Sequence, residues 1–192
     1  MTFKPYEILS ALLPGFLLLI ALFIFLDIPY QKDYIVAYTA IAFLIGFVVS
    51  ALSSWLEGVY YFTWGGKPSE RLLNGKSVWK VPFYEAEKVK SILAKHWHTE
   101  NVSNDALYAL AIRYANGHKD SRINEFSANY AFARVLLTTL LLILCVMLYA
   151  HYGHWQHYLF LCIVLIIVWL RCKQRAYYYA REVLNEYLNG HE

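Results

Sequence analysis

The sequence predicts an all-α integral membrane protein: four transmembrane helices paired as two hairpins, with a helical cytoplasmic insertion and a helical stalk. Three observations predict it. The 192-residue chain is 59% hydrophobic and only 16% charged, with a mean hydropathy of +0.37, more apolar surface than so short a chain can hide from water. Its uncharged residues are gathered into long runs. All of its 17 Lys and Arg except Lys32 lie outside the two short turns that interrupt those runs. The same composition excludes a disordered chain, an ordinary soluble enzyme and a disulfide-stapled secreted domain, the last because three Cys are an odd number.

A spanning helix needs roughly 20 mostly apolar residues, since a hydrocarbon core of about 30 Å is crossed at 1.5 Å per residue with every backbone polar group satisfied internally. Residues 8–26 and 34–56 meet this without a charge, and residues 27–33 join them as a tight turn. The uncharged run 135–170 has 36 residues, about 54 Å as one helix, too long for one crossing. It is expected to fold back at residues 151–157, its only polar interruption, around Gly153. Arg134 and Arg171 then reach one interface, while Tyr152, Trp155 and Tyr158 form an aromatic belt at the other.

Charge sets the orientation. Lys4, the eleven basic residues of 57–134 and the four from Arg171 onward share one side, so the positive-inside rule puts both termini and the insertion in the cytoplasm of a bacterial-type inner membrane. The first apolar run is too long for the core of a cleaved signal peptide and lacks a small-x-small site. The chain reads as three blocks: 1–64, a hairpin with a cytoplasmic extension; 65–120, the insertion; and 121–192, the second hairpin with stalk helices and a tail.

The helix that crosses at 34–56 is expected to continue from Glu57 to Trp64, where Gly65, Gly66 and Pro68 supply a stop. In the insertion, residues 84–97 and 104–116 read as amphipathic helices. The first has Val89, Ile92, Leu93 and Trp97 on one side; the second is capped by Ser103 or Asn104, with Leu107, Leu110, Ala111 and Tyr114 as its apolar stripe. Residues 76–83 are an alternative short strand. Helix is expected again from about Ser121, capped by Asp120 or Ser121. After Arg171 it carries Tyr177, Tyr178, Tyr179, Val183, Leu184 and Tyr187 inward, opposite Arg175, Arg181, Glu182 and Glu186.

Ala42, Gly46, Ser50 and Ser54 recur every four residues, giving one small face suited to helix packing or, through its serines, to lining a pore. Ala11, Pro14 and Gly15 offer matching small or kinking positions. No Asp, Glu, Lys, Arg or His falls at membrane depth, which disfavours proton-coupled transport and charge-selective filters. Glu57, Arg134 and Arg171 are placed at the inner interface as ion pairs clamping the stalk. His151, His154 and His157 are spaced three apart, a weak pattern for zinc or copper, and no metal or cofactor is assigned. Asn74, Gly75, Lys76 and Ser77 end like a phosphate-binding loop, but Glu70 occupies the position of its first Gly and no strand precedes it. Basic residues of the insertion, Arg71, Lys76, Lys80, Arg113 and Arg122 among them, suit anionic lipid headgroups or a phosphate-bearing ligand. Interleaved acidic residues argue against direct nucleic-acid binding.

With both termini inside, four spans and a helical cytoplasmic insertion, the chain resembles the small membrane effectors and accessories of bacterial antiviral systems, CRISPR-linked and cyclic-nucleotide-linked. The resemblance rests on span layout and stalk. It implies a homo-oligomeric inner-membrane effector or channel, not an enzyme, gated or recruited through its insertion and perturbing the membrane. The alternatives are an anchor or scaffold that recruits a cytoplasmic protein, and a lipid-modifying enzyme built on Glu57 with Ser53 or Ser54.

Overall fold

A computed structural model describes residues 5–78, 81–95, 102–117 and 122–191, with side chains from Ser10 onward. The described chain is all-helical: α1 (Pro5–Phe25), α2 (Ile35–Trp55, entered through a 3-10 turn at Lys32–Tyr34), α3 (Glu57–Trp64), α4 (Pro68–Leu73), α5 (Ala86–Lys95), α6 (Asn104–Gly117), α7 (Ile123–Tyr149) and α8 (Trp155–Asn189). Three helical segments among the described residues are long and apolar enough to cross a membrane: Lys32–Trp55, Ile123–Tyr149 and Trp155–Asn189. The described apolar part of α1, Ser10–Phe25, is shorter.

Two compact units result, and they cut across the three consecutive blocks read from the sequence. One comprises residues 1–57 and 132–170, the other 58–131 and 171–192.

In the first unit, Leu18 of α1, Val49 of α2 and Val135 of α7 form a buried cluster flanked by Ile45, Leu142, Ile143 and Val146. Large side chains on the opposite surfaces stay exposed, including Val36, Leu44 and Phe47 of α2 and Phe160, Ile166 and Ile167 of α8. Such surfaces are stable in contact with lipid, not water.

The second unit has its own core. Leu72, Val89, Leu93, Leu107, Ala111 and Ile123 pack with Tyr177, Val183, Leu184 and Tyr187 of α8. Fifty-odd inserted residues alone bury too little surface to fold, so the C-terminal part of α8 completes the core.

The described residues of 76–83 form no strand: an isolated bridge joins Val78 and Val81, whose N–H donates to the Val78 carbonyl at 2.9 Å. Pro82 follows immediately and offers no N–H to extend such a ladder. The first amphipathic helix begins at Ala86, two residues later than its apolar pattern suggested. Trp97 and the cap at Asp120 or Ser121 lie outside the described residues. At α6, the Ser103 hydroxyl accepts the Ala106 N–H at 3.3 Å, an N-cap bond.

Helix ends share one device. The N–H groups of Ile28, Gly66, Lys76 and Tyr152 each donate to a carbonyl five residues back, at 2.8 to 3.3 Å. This is the Schellman closure, which needs a left-handed residue just before the donor. Asp27, Gly65, Gly75 and His151 take that position, with φ of 52°, 81°, 70° and 48°.

Candidate functional site

The Ala42 and Gly46 half of the small face of α2 is filled by α1, while Ser54 at its other end is exposed. A Cβ placed on Gly46 would overlap the Ala11 carbonyl, and one on Gly15 would overlap the Ala42 carbonyl. Ala42 and Gly46 are buried. Two reciprocal small-xxx-small pairs thus let the backbones touch.

Hydroxyls in this unit turn back on their own helices. Ser53 donates to the Ser50 carbonyl at 2.8 Å, Ser54 to the same carbonyl at 3.3 Å, Thr138 to Arg134 at 3.0 Å and Thr139 to Val135 at 2.9 Å. Bonds to a carbonyl one turn back satisfy the hydroxyl proton in an apolar setting.

Arg134 sits at the α2–α3 junction. One guanidinium nitrogen lies 2.7 Å from a Glu57 carboxylate oxygen and another donates to the Ser54 hydroxyl at 3.0 Å. Arg171, also predicted for this cluster, belongs to the second unit, where it donates to Gln174 on its own helix at 2.7 Å. Around Glu57, Ser53 and Ser54 donate to the Ser50 carbonyl, and Ser54 also accepts from the Arg134 that pairs with Glu57.

The three histidines do not gather. His151 directs Nδ1 to the Tyr149 carbonyl at 2.9 Å, while His154 and His157 stand with ring centroids 5.8 Å apart around Tyr152. Among the described residues no group of three His, Cys, Asp or Glu could hold a metal. The left-handed turn at His151 explains this, since it ends α7 there and redirects the chain.

The basic residues of the insertion are dispersed. Lys76 and Arg113 are exposed, Arg122 lies over the Phe126 ring at 5.5 Å, and Lys80 lies outside the described residues. Gly75 and Lys76, which imitate a phosphate loop in sequence, form the C-terminal closure of α4.

Among the described residues of this set, Arg71 enters a built environment. Its Nη1 donates to the carbonyls of Trp64 and Gly65, both at 3.1 Å, which neutralises the negative end of α3. Lys173 donates to the same Trp64 carbonyl at 3.4 Å. Burial, and then the neighbouring Arg71 charge, hold Lys173 below its ordinary pKa. Tyr177, one turn further along α8, is fully buried, and burial raises its phenol above the usual range although Arg71 pulls the other way. These groups lie past Leu170, beyond the uncharged part of α8.

The same unit holds a cavity of about 170 Å³ walled by Tyr61, Tyr108, Tyr130 and Tyr179, with Ser69 at its edge. Tyr130 donates to the Tyr61 hydroxyl at 3.3 Å. Neither this cavity nor the role of Lys173 was legible from the sequence; the only hint was that Lys173 and Tyr177 are four apart, hence on one helix face.

No protein-family model matches the chain, and no curated protein or solved structure matches it.

Proposed function

We propose that the chain is a four-span anchor of a bacterial-type inner membrane, with both termini inside, holding its helical unit at the cytoplasmic face to receive a partner. α1, whose apolar run begins before the described side chains, is the fourth span, and the two turns at 27–33 and 151–157 face outward. Three things support this: the three long apolar helices, the exposed apolar surfaces of α2 and α8, and the concentration of Lys and Arg away from the turns.

The observation that carries the anchor reading is the reciprocal seating of Gly15 and Gly46. The Ala42 and Gly46 part of the small face is filled from within one chain, and Ser53, Thr138 and Thr139 turn their hydroxyls onto their own backbones. Ions crossing here would find nothing to replace their water. The second unit, with a core of its own, is a folded surface suited to a cytoplasmic protein.

A second reading, a homo-oligomeric effector or channel acting in antiviral defence, is favoured by one observation. Leu44 and Phe47 on α2 and Ile166 and Ile167 on α8 leave wide apolar faces on which further copies could pack.

Reconstitution into liposomes separates the two. The anchor leaves an imposed ion gradient intact and runs as one copy in mild detergent; gradient collapse by a ring of copies overturns it in favour of the channel. A reporter fused within the turn at Gly153 that is active only in cytosol would contradict the four-span threading.

A further inference from the structure

We propose that Arg71, Lys173 and Tyr177 form a binding site for a phosphate oxyanion at the C-terminal end of α3. The Arg71 and Lys173 cations converge on one oxygen, the Trp64 carbonyl. A helix C-terminus attracts cations, which accounts for their charges. It does not account for the donors left over. Arg71 Nε and the Tyr177 hydroxyl are buried without a hydrogen-bond partner, as is the indole N–H of Trp64 itself. Buried polar groups are rarely left unsatisfied, because each costs its full desolvation.

The missing partner is an acceptor. Arg71 Nε can only donate, Lys173 can only donate, and Tyr177 lies one turn beyond Lys173 on the same face of α8. A tetrahedral oxyanion presents several acceptor oxygens and a charge that offsets two neighbouring cations. Burial and Arg71 together disfavour the charged form of Lys173, and a bound anion would reverse that effect. Arg71 and Lys173 are each partly exposed, so the two cations are within reach of an anion from solvent.

Two sources share this chemistry: free phosphate and the headgroup of an anionic phospholipid. Lys173 lies three residues after Leu170, where the continuous uncharged run of α8 ends, the level at which headgroup phosphates lie. Only this choice of source rests on the membrane threading proposed above; the site itself does not.

The test is thermal unfolding of the full chain in a neutral detergent at constant ionic strength. It is titrated with inorganic phosphate in one arm and with phosphatidylglycerol in mixed micelles in the other. The melting temperature of the unsubstituted chain rises by several degrees on saturation in at least one arm. Lys173→Met weakens apparent binding by about tenfold and Tyr177→Phe by severalfold. Lys76→Met, an exposed cation outside the cluster, leaves binding unchanged. Tyr177→Phe removes only an unpartnered hydroxyl and so keeps the fold intact, which guards against a trivial loss. A response to phosphatidylglycerol alone identifies the headgroup as the source, and a response to both shows that phosphate suffices. No shift in either arm, or equal shifts in the Lys173→Met, Tyr177→Phe and unsubstituted chains, overturns the proposal. Failure of the anchor reading is seen separately, as ion flux.

Discussion

Gly46 of α2 lies so close to the Ala11 carbonyl of α1 that no side-chain carbon fits between them. The contact is matched by Gly15 against Ala42, so the two helices touch backbone to backbone at two points four residues apart. A larger residue must push the helices apart, because the obstructing atoms are backbone and cannot rotate away. Gly46→Leu is expected to cost about 1–3 kcal/mol or more, seen as a lower melting temperature in detergent. Leu44→Ala, at an exposed position of the same helix, is expected to change little.

The Arg134–Glu57 pair predicts non-additivity. The two side chains are 14% and 30% exposed, so removing one charge leaves the other partly desolvated. Glu57→Gln and Arg134→Gln should each destabilise by about 1–3 kcal/mol, and the double substitution by clearly less than their sum. Strictly additive losses in a double-mutant cycle would show that the 2.7 Å contact carries no coupling energy.

At the end of α7, His151 holds φ at 48°, a conformation glycine adopts without strain and a histidine does not. His151→Gly is expected to stabilise the chain by about 0.5–1 kcal/mol. The measurement is a thermal melt with and without a metal chelator; chelator sensitivity of the unsubstituted chain would restore the histidines as metal ligands.

Stability should vary in alkali in two opposite ways. Lys173 titrates below its ordinary 10.5 in the fold. Between its folded value and 10.5 the unfolded chain therefore binds more protons, and stability rises with pH. Tyr177 and Tyr187 titrate above 10.0 because burial resists their ionisation. From 10.0 upward the folded chain keeps protons that the unfolded chain loses, and stability falls. Denaturation followed from pH 8 to 11 should show Lys173→Met abolishing the rise and Tyr177→Phe flattening the fall.

Much of the fold is legible because its signals are local. The stop at Gly65 and Gly66, the cap at Ser103 and the stripe of Leu107, Ala111 and Tyr114 each follow from a few adjacent side chains and the helical period. The site was legible only in fragments. Arg71 looks from sequence like one basic residue among several, and its distinction comes from the Trp64 and Gly65 carbonyls that α3 presents to it. Lys76 looks like part of a phosphate loop until Gly75 is seen closing α4. Turns are expected at 27–33 and 151–157, but that Asp27 and His151 take their left-handed positions is not legible, since neither residue is the glycine that such closures favour.

By itself the sequence determined which segments avoid water, which residues are helical and where helices stop, for these depend on solvation and backbone preference within a turn or two of each residue. The tertiary structure alone decided that Ala42 and Gly46 of α2 meet α1, that Glu57 takes Arg134, and that Lys173 joins Arg71 at the end of α3. Those outcomes turn on contacts between residues far apart in the chain, whose partners depend on packing the whole helix set at once.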